Sequence, residues 1–459
     1  MIPPRLRVRR RPRPPVRIVH LGLGAFHRSH QAWYTARADE GGEWGIAAFT
    51  GRGPEAARLL GEQDGLYTLV ERGGDGDRLE VIESIVQTHG AAEITALREL
   101  VSRPEVTIVT LTVTEKGYRL GADRRLDAQD ADVLADAVTT RAALADGRDL
   151  PDGALRTMPG RLLWALLGRA EASAGPIAVI PCDNLADNAG AVRASVLGMA
   201  ELVGRLPGID VDWIGTSVDR ITPRTTDADV RLVTERTGVT DLVPVVTESY
   251  SSWILSGVFR VERPRWEDAG ATFVDRIEPY ERRKLWMLNG AHSLLAYAGT
   301  RRGHITVADA MSDPECVRAV EALWDLDARH LAGSGLAPDE YRADLARRFT
   351  NRSIAHHLRQ IAADGSVKLR DRVVGAVMLD RQHGGSGDAG LRAVAEWISF
   401  VETEHAAGRT IDDVAADEIG RRLSRPDPIR GLVELISPDL AGSGPAMLEI
   451  ERLRTSFVV

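Results

Sequence analysis

The feature that most constrains the fold is an apolar, β-branched run that ends in glycines near the start of the chain. It reads RIVHLGLG at residues 17–24, and a helical pattern follows it. Similar runs recur as GIAAFT, VTIVTLTV and PIAVIPCDN at residues 45–50, 106–113 and 176–184, with helical patterns between them. Strands that alternate with helices form a mostly parallel sheet with helices on both faces. The sequence therefore predicts an α/β fold.

The pattern changes near residue 278. The segments VPVVTESY, VFRVER and ATFVDRI, within residues 243–277, are predicted as short strands. From residue 279 onward most segments have helical periodicity, beginning with PYERRKLWMLNGAHSLLAYAG. A chain of 459 residues is too long for one core. We therefore predict an α/β domain over residues 17–278 and a mainly helical domain over residues 279–459.

Composition excludes several classes of protein. Residues 1–16 are rich in Arg and Pro without an apolar segment behind them, so we expect a disordered arm rather than a signal peptide. A net charge of −8 argues against nucleic acid as a partner. No run is long and apolar enough for a membrane span. Two cysteines, Cys182 and Cys316, fit a reducing cytoplasm and suggest neither a disulfide framework nor a thiolate metal site.

The glycine-rich turn is the first candidate binding site. A strand that runs into glycines and then a helix directs backbone amides and a positive helix end at a pyrophosphate. His27 stands where the third glycine of the dinucleotide fingerprint would fall, and a plain tight turn is the alternative. We expect the side chains of His27 and Arg28 to help neutralise phosphate, although they can equally be ordinary polar residues of a first helical turn. The predicted cofactor-binding turn comprises Gly22, Leu23, Gly24, Ala25, Phe26, His27 and Arg28.

Arg52 follows the second predicted strand, where the 2′ group of a dinucleotide is bound. A carboxylate at this point favours NAD, and an arginine accommodates the 2′-phosphate of NADP. Arg52 can also stack on adenine in either cofactor. From the residues alone, the choice between NAD and NADP stays open.

Lysine is rare in this chain. Of 58 basic residues only three are lysines, namely Lys116, Lys284 and Lys368. A lysine can give up its proton, whereas an arginine cannot, so these positions are candidates for acid–base chemistry.

Lys284 belongs to a predicted helix that also carries Glu281, Asn289 and His292. At about 100° per residue, the four side chains fall within an arc of about 140°. Such a row suits the oxidation of a secondary alcohol, with a lysine as general base and an amide that holds the developing alkoxide. An amphipathic helix with a solvated lysine is the alternative.

Three further candidate groups follow predicted strands. Asn184 ends the PCDN segment, and Thr114, Glu115 and Lys116 end another strand, where parallel sheets bind ligands. Turn chemistry is the alternative for both groups. Asp219 and Arg220 are candidates for a buried ion pair that shapes the site or is merely structural. No spacing of histidines and cysteines indicates a metal site.

Taken together, these segments resemble the long-chain mannitol dehydrogenase family, which includes mannitol 2-dehydrogenases and fructuronate reductases (D-mannonate oxidoreductases). The matching segments lie between about residue 17 and residue 368: VHLGLGAFHRSHQAWYT, LTVTEKGY, PCDN, VDRITP, KLWMLNGAHS and DGSVK. The resemblance implies a Rossmann-type amino-terminal domain, a mainly α-helical carboxy-terminal domain and a metal-independent reaction. The chain departs from the family pattern at residues 248–257 and 369–370, in the half that shapes the substrate pocket.

The resemblance also implies roles for individual residues. Lys284 corresponds to the general base, Asn184 and Asn289 to a carbonyl-polarising pair, and His292 to a substrate-orienting histidine. Glu281 corresponds to a carboxylate that relays protons from the lysine. Gly22 and Gly24 match the cofactor turn, and NAD becomes the expected cofactor, with NADP not excluded.

The substrate is expected to be a polyol or an aldonate that is interconverted with its 2-keto sugar. TEKGY and MLNGAHS resemble the fructuronate reductase branch more than the mannitol branch, which implies the mannonate/fructuronate pair ahead of mannitol/fructose. Lys116 or Lys368 would then bind the carboxylate. The alternatives are a mannitol-1-phosphate 5-dehydrogenase, a decarboxylating 3-hydroxyacid dehydrogenase and a non-catalytic nucleotide-binding regulator.

Overall fold

The computed structural model describes residues 3–74, 76–331 and 335–455. Contacts between residues divide the chain into two compact units, Met1–Glu278 (unit 1) and Pro279–Val459 (unit 2). Within the described residues, every helix is too short or too polar to cross a lipid bilayer.

Unit 1 is built on a six-stranded sheet in which all paired strands run parallel. Its spatial order is β5-β2-β1-β6-β7-β8, so the chain order reverses between β1 and β6. This is the Rossmann order, in which ligands bind at the carboxyl ends of the strands beside the reversal point. The strands are β1 (Val16–Leu21), β2 (Gly45–Phe49), β5 (Ile85–His89), β6 (Ile108–Leu111), β7 (Ile177–Pro181) and β8 (Val211–Trp213).

Apolar residues on both faces of the central strands explain why this sheet forms. β2, β6 and β7 are buried at every position, as expected for parallel strands covered by helices on both sides. Val19 and Val109 face one apolar cluster, while Ile18 and Ile108 face another on the opposite side. The predicted α/β fold of the amino-terminal part is confirmed.

Two smaller sheets, eight α-helices and two short 3₁₀ helices, Glu115–Tyr118 and Trp266–Ala269, complete the described part of unit 1. One sheet has the order β10-β3-β4 and the other β12-β11-β9. Their strands are β3 (Tyr67–Gly73), β4 (Gly76–Ile82), β9 (Gly215–Asp219), β10 (Val245–Glu248), β11 (Ser252–Ser256) and β12 (Thr272–Val274). The helices are α1 (Ala25–Ser29), α2 (Gln31–Ala38), α3 (Glu55–Gly61), α4 (Ile94–Val101), α5 (Ala131–Asp146), α6 (Met158–Glu171), α7 (Asn188–Val203) and α8 (Asp227–Thr237).

The predicted strand at residues 258–263 is wrong, because these residues have no strand geometry. Gly257, with φ +140°, ends β11 just before them. The backbone N–H and the Nε of Arg260 then donate to the two carboxylate oxygens of Asp212, at 2.7 and 2.6 Å. The Asp212 carboxylate therefore accepts the Arg260 backbone N–H, which in a strand would be donated to a neighbouring strand.

The amino-terminal arm differs from the disordered segment predicted for residues 1–16. Val16 already belongs to β1, and Leu6 is buried. The guanidinium of Arg9 donates to Asp64 Oδ2 at 2.7 Å and to the carbonyls of Glu83 and Ile85, both at 2.6 Å. Arginines that find carboxylate and carbonyl partners hold the described part of the arm against unit 1.

Unit 2 is mainly helical, as predicted. A helix starting with α9 (Glu278–Arg283) continues through a π-helical segment (Lys284–Gly290) into α10 (Ala291–Arg301). α10 is buried along most of its length and packs against α12, α14 and α17. The remaining helices are α11 (Val307–Ala310), α12 (Pro314–Leu331), α13 (Pro338–Phe349), α14 (Leu358–Ala362), α15 (Gly365–Leu369), a second π-helical segment (Arg370–Val374), α16 (Gly375–Gln382), α17 (Asp388–Ala406), α18 (Ala416–Leu423), α19 (Pro428–Ile436), α20 (Pro438–Gly442) and α21 (Gly444–Thr455).

Candidate active site

The glycine turn lies where β1 ends, beside the reversal point of the sheet. Gly22 has φ +114°, a conformation that side chains rarely adopt. A Cβ at this position would lie 2.1 Å from the carbonyl oxygen of Thr112. The N–H groups of Gly22 and Leu23 both donate to the carbonyl of Phe49, at 2.8 Å each. Only glycine allows β1, β2 and β6 to come together in this way.

A cleft of about 600 Å³ opens at this turn. Its walls include the backbone of Gly22, the ends of β2 and β6, and the start of α6. Five lining residues are basic and, among the described residues that line it, none is acidic. The lining residues are Leu21, Gly22, Phe49, Thr50, Gly51, Arg52, Ala91, Leu97, Thr112, Val113, Thr114, Lys116, Gly117, Arg119, Arg156, Thr157, Met158 and Arg161.

This cleft fits a dinucleotide. The glycine turn lets a pyrophosphate approach the backbone, which a Cβ at Gly22 would prevent. Apolar side chains such as Phe49, Leu97 and Met158 provide surface for an adenine ring, and the basic residues match phosphate charge. Gly22, Arg52, Thr114 and Lys116 were predicted for ligand binding and do line the cleft.

His27 and Arg28 contradict the expectation that their side chains neutralise phosphate. His27 is fully buried and stacks on His20 with ring centroids 3.3 Å apart. Burial holds the pKa of His27 well below its usual value, so the ring is neutral. Arg28 donates to the carbonyls of Gly24 and Val243 and lies over the ring of Tyr67. Both side chains serve packing in unit 1.

The other residues predicted around the turn lie outside the cleft lining. Leu23 is buried in the apolar cluster against which Ala25 and Phe26 pack. Gly24 precedes α1, and Glu115 is an exposed residue of the short 3₁₀ helix Glu115–Tyr118. Conversely, sequence reasoning missed Arg119, Arg156 and Arg161. Arg156 and Arg161 flank the start of α6, a region without a motif.

Arg220 is paired within unit 1, but its carboxylate partner in the described contacts is Glu71. The Arg220 Nη2 lies 2.6 Å from Glu71 Oε1, with both side chains buried. Arg220 also donates to the carbonyl of Ser29 at 2.5 Å and lies over the ring of Trp33. Asp219 is buried at the end of β9 and has interactions of its own. The contacts of Arg220 are those of a structural residue.

Asn184 follows β7 in a loop that the preceding residue anchors. Tyr118 donates its hydroxyl to Asp183 Oδ2, and the N–H of Leu185 donates to Asp183 Oδ1 at 3.1 Å. Burial raises the pKa of Asp183 to about 6. The Tyr118 hydroxyl thereby links the loop after β6 to the loop after β7, and Asn184 is exposed within the latter.

The π-helical segment changes the predicted geometry of Lys284. A π-helix bonds residue i to residue i+5, so these two residues lie on the same side of the helix. Lys284 and Asn289, which were predicted about 140° apart on an α-helix, are therefore closer together around the helix axis. The arc of about 140° assumed an α-helical rotation of about 100° per residue, which does not apply within the π segment.

Side chains from neighbouring helices satisfy carbonyls within this segment. The indole N–H of Trp324 donates to the carbonyl of Met287 at 2.8 Å. Arg372, in the second π-helical segment, donates to Ser293 Oγ at 3.1 Å and lies 3.4 Å from the carbonyl of Asn289. Gly290 lets the two π segments approach, because its Cβ would lie 3.1 Å from the Arg372 carbonyl oxygen.

His292 is the second residue of α10, which directly follows the π segment. Its ring stacks on Phe349 at a centroid distance of 4.5 Å and meets His356 edge-on at 4.8 Å. Burial holds the pKa of His292 well below its usual value, and the positive charges of Arg348 and Arg372 add to this effect. His292 is thus a neutral histidine, and its buried Nε2 has no hydrogen-bond partner among the described residues.

The two remaining candidates of unit 2 are half-buried. Lys368 donates to the carbonyl of Ile361 at 3.1 Å, and burial lowers its pKa. Glu281 lies on α9, one turn before Lys284.

Among the described residues, one cluster contains side chains of the types that can bind a metal ion. In the sequence it lies apart from the candidate catalytic residues. Ligand atoms of His304, Asp313 and Cys316 lie within 4.8 Å of one another. Arg302 Nε also donates to Asp313 Oδ2 at 2.5 Å, and this hydrogen bond lowers the pKa of that carboxyl. The group is therefore explained as an ion pair that fixes the start of α12.

Two family models match the chain. Residues 16–268 match the mannitol dehydrogenase Rossmann domain, and residues 276–433 match the mannitol dehydrogenase C-terminal domain.

Individual relatives agree with these matches. The uncharacterized oxidoreductase YeiQ of Escherichia coli K12 is 36% identical over 421 residues, covering 88% of this chain and 83% of that protein. The D-mannonate oxidoreductase of the same organism is 34% identical over 414 residues, covering 87% and 82%. Among solved structures, mannitol 2-dehydrogenase of Pseudomonas fluorescens, in a ternary complex with NAD and D-mannitol, matches with a TM-score of 0.79. It is 30% identical, and the match covers 96% of this chain and 92% of that one.

Proposed function

The chain belongs to the mannitol dehydrogenase family of nicotinamide-dependent oxidoreductases that act on CH–OH groups, and on that premise we propose that it interconverts a polyol or an aldonate with its 2-keto sugar. The observation that supports the proposal is the π segment Lys284–Gly290, because its backbone brings the positions of Lys284 and Asn289 toward one side of the helix. An amine and an amide are the groups that proton transfer and carbonyl polarisation require.

We propose that Lys284 is the general base. In the oxidation, Lys284 takes the proton of the substrate hydroxyl while the hydrogen on the same carbon leaves as hydride. When bound, the nicotinamide ring of the cofactor supplies the hydride acceptor. In the reduction, Lys284 returns the proton to the carbonyl oxygen. Glu281, one turn earlier, is proposed to exchange protons between Lys284 and solvent.

Asn289 and Asn184 are proposed to polarise the carbonyl. An amide N–H that donates to the substrate oxygen stabilises it most when it carries negative charge. His292 is proposed to orient a substrate hydroxyl, because a neutral imidazole both donates and accepts hydrogen bonds. With an amine as base and amides as polarising groups, the reaction needs no metal, and we expect full activity after dialysis against a chelator.

NAD is the proposed cofactor, with NADP as a second possibility through Arg52. For the substrate, we propose D-mannonate/D-fructuronate first and D-mannitol/D-fructose second. One named relative is a D-mannonate oxidoreductase, and Lys116 and Lys368 are cations suited to a carboxylate. We also propose a reducing compartment such as the cytoplasm, since Cys182 and Cys316 are buried free thiols.

The test follows the absorbance of NADH and NADPH with a panel of ketoses, ketouronates and ketose phosphates. Fructuronate or fructose should be reduced, and Lys284→Ala should lower kcat by about a thousandfold. Lys284→Arg is the matched control, because it keeps the charge and should be equally inactive.

Other outcomes would replace the proposal. Activity only on fructose 6-phosphate would indicate the mannitol-1-phosphate reaction, and carbon dioxide release from 3-hydroxy acids would indicate oxidative decarboxylation. NADH binding without turnover of any of these compounds would indicate a regulator.

A further inference from the structure

A chain of buried hydrogen bonds runs behind the glycine turn of unit 1. His20 lies on β1 and contacts two threonines of the neighbouring strand end. Its Nδ1 is 2.8 Å from Thr110 Oγ1, and its Nε2 is 3.0 Å from Thr112 Oγ1. Thr112 Oγ1 in turn donates to the carbonyl oxygen of Gly22 at 2.8 Å. The chain therefore ends on the backbone of the turn.

The direction of each hydrogen bond follows from the number of protons available. A threonine hydroxyl has one proton, and that of Thr112 goes to the Gly22 carbonyl. His20 Nε2 must then carry the ring proton and donate to Thr112. In a neutral ring the other nitrogen accepts, so Thr110 donates to His20 Nδ1.

The surroundings of His20 keep the ring neutral and fixed. His20 is fully buried, and burial lowers its pKa to about 3, although a hydrogen bond to the Gly22 backbone offsets part of this effect. His27 lies against one face of the ring, with an angle of 10° between the two planes. Because the His20 ring is neutral and held by stacking, its one N–H, at Nε2, points in a fixed direction toward Thr112.

Resting on the proposed use of a dinucleotide cofactor, we propose that Thr112, held by His20, is a positioning residue that sets the orientation of the Gly22 peptide for cofactor binding. Gly22 and Thr112 both line the cleft, at the point where the sheet order reverses. A glycine at positive φ has many alternative conformations, and the peptide that joins Gly22 to Leu23 is held by two external hydrogen bonds. The Leu23 N–H donates to the Phe49 carbonyl, and the Gly22 carbonyl accepts from Thr112. Binding is tighter when the turn is already in its bound conformation.

The experiment compares NADH binding by Thr112→Val and Thr112→Ser with the unmodified chain. Valine has the same shape without the hydroxyl, and it removes both the hydrogen bond between His20 Nε2 and Thr112 and the one from Thr112 to the Gly22 carbonyl. We expect the Kd for NADH to rise about tenfold in Thr112→Val, which corresponds to one lost hydrogen bond. Thr112→Ser restores the hydroxyl and should stay within about threefold of the unmodified chain.

Thr110→Val is the matched control. It removes the other hydroxyl that contacts His20, on the same strand, but leaves the bond from Thr112 to Gly22 intact. Both valine variants should lower the melting temperature, whereas only Thr112→Val should weaken NADH binding. Equal weakening by the two valine variants, or none by Thr112→Val, would overturn the inference. If the unmodified chain binds no NADH, the proposed function fails instead.

Discussion

At the scale of single residues, Arg169 shows how a buried charge can be satisfied without a carboxylate. It is 1% exposed, on α6. Its guanidinium donates at 2.7–3.0 Å to the backbone carbonyls of Val101, Arg103, Val106, Ala174, Gly175 and Pro176. These carbonyls belong to the segments that precede β6 and β7. Arg169 thus fixes the entry of two central strands.

We predict that Arg169→Met lowers the free energy of unfolding by at least about 3 kcal/mol, because several buried carbonyls lose their donor at once. Urea unfolding measures the change. Arg193→Met, at an exposed position of α7, is the control and should cost less than about 0.5 kcal/mol. Similar values for the two variants would show that the carbonyls find water instead.

Asp183 gives a prediction about pH. Its pKa of about 6 in the folded chain exceeds the unfolded value, because burial disfavours the ionised form. The stability it contributes is therefore fully present below about pH 4 and is lost as the pH rises through 6. Asp183→Asn cannot titrate. Relative to the unmodified chain, this variant should gain about 2 kcal/mol of unfolding free energy between pH 4.5 and 7.5.

Urea unfolding at the two pH values tests this, with Asp149→Asn, at an exposed position, as the control. The prediction would be contradicted if the difference in unfolding free energy between Asp183→Asn and the unmodified chain were the same at both pH values. It would also be contradicted if Asp183→Asn became relatively less stable at the higher pH.

Residue patterns predicted the position of Gly22 because its conformation is a local requirement. They did not predict the roles of His27 and Arg28, since the contacts of these side chains are with His20, Tyr67 and Val243 elsewhere in the chain. The pairing of Arg220 with Glu71 joins residues 149 positions apart. No local pattern contains such a pair.

At the scale of elements, the π-helical segment has the clearest consequence for function. The Trp324 indole bonds the carbonyl of Met287, within the π segment. We predict that Trp324→Phe lets the segment relax toward an α-helix, which turns Asn289 away from Lys284. kcat should fall about tenfold, and the Kd for NADH should stay unchanged because the cleft proposed for the cofactor lies in unit 1.

Steady-state kinetics and NADH titration measure the two effects. Trp164→Phe is the control, since the Trp164 indole nitrogen has no hydrogen-bond partner among the described residues. Equal loss of kcat in both variants would assign the effect to packing alone.

The strands of the central sheet could be predicted because apolar runs and turns are local signals. β2, for example, spans Gly45–Phe49 within the predicted residues 45–50. The π segment could not, because α- and π-helices have the same composition and the choice depends on donors such as Trp324 and Arg372. The wrong strand at residues 258–263 has a similar cause, since Asp212 binds the backbone there.

At the scale of the whole molecule, a basic cleft lies in an acidic protein. The net charge is −8, yet the cleft is lined by Arg52, Lys116, Arg119, Arg156 and Arg161. We predict that the Kd for NADH rises several-fold when the ionic strength increases from about 0.05 to about 0.5 M, because salt screens the attraction between phosphates and exposed cations.

Titration of NADH at several salt concentrations gives the slope. The KM of a neutral ketose at saturating NADH, which should hardly change, is the control. A Kd for NADH that does not depend on salt would mean that backbone contacts dominate its binding.

The α/β and helical parts of the molecule followed from strand–helix alternation and helical periodicity, and the fold class is confirmed. The cleft was predicted only at its glycine turn and at the ends of two strands. Arg156 and Arg161 reach it from the beginning of α6, which follows a loop with no characteristic pattern.

The rarity of lysine has a practical consequence when combined with the position of Lys116. Lys116 is exposed and lines the cleft, while Lys284 and Lys368 are half-buried. Apart from the terminal amine, a reagent that couples to amines will therefore react first at the entrance of the cleft proposed for the cofactor. Attaching this enzyme to a solid support through its most exposed lysine would block that entrance. Attachment through carboxylates, which are abundant on its surface, would leave the entrance open.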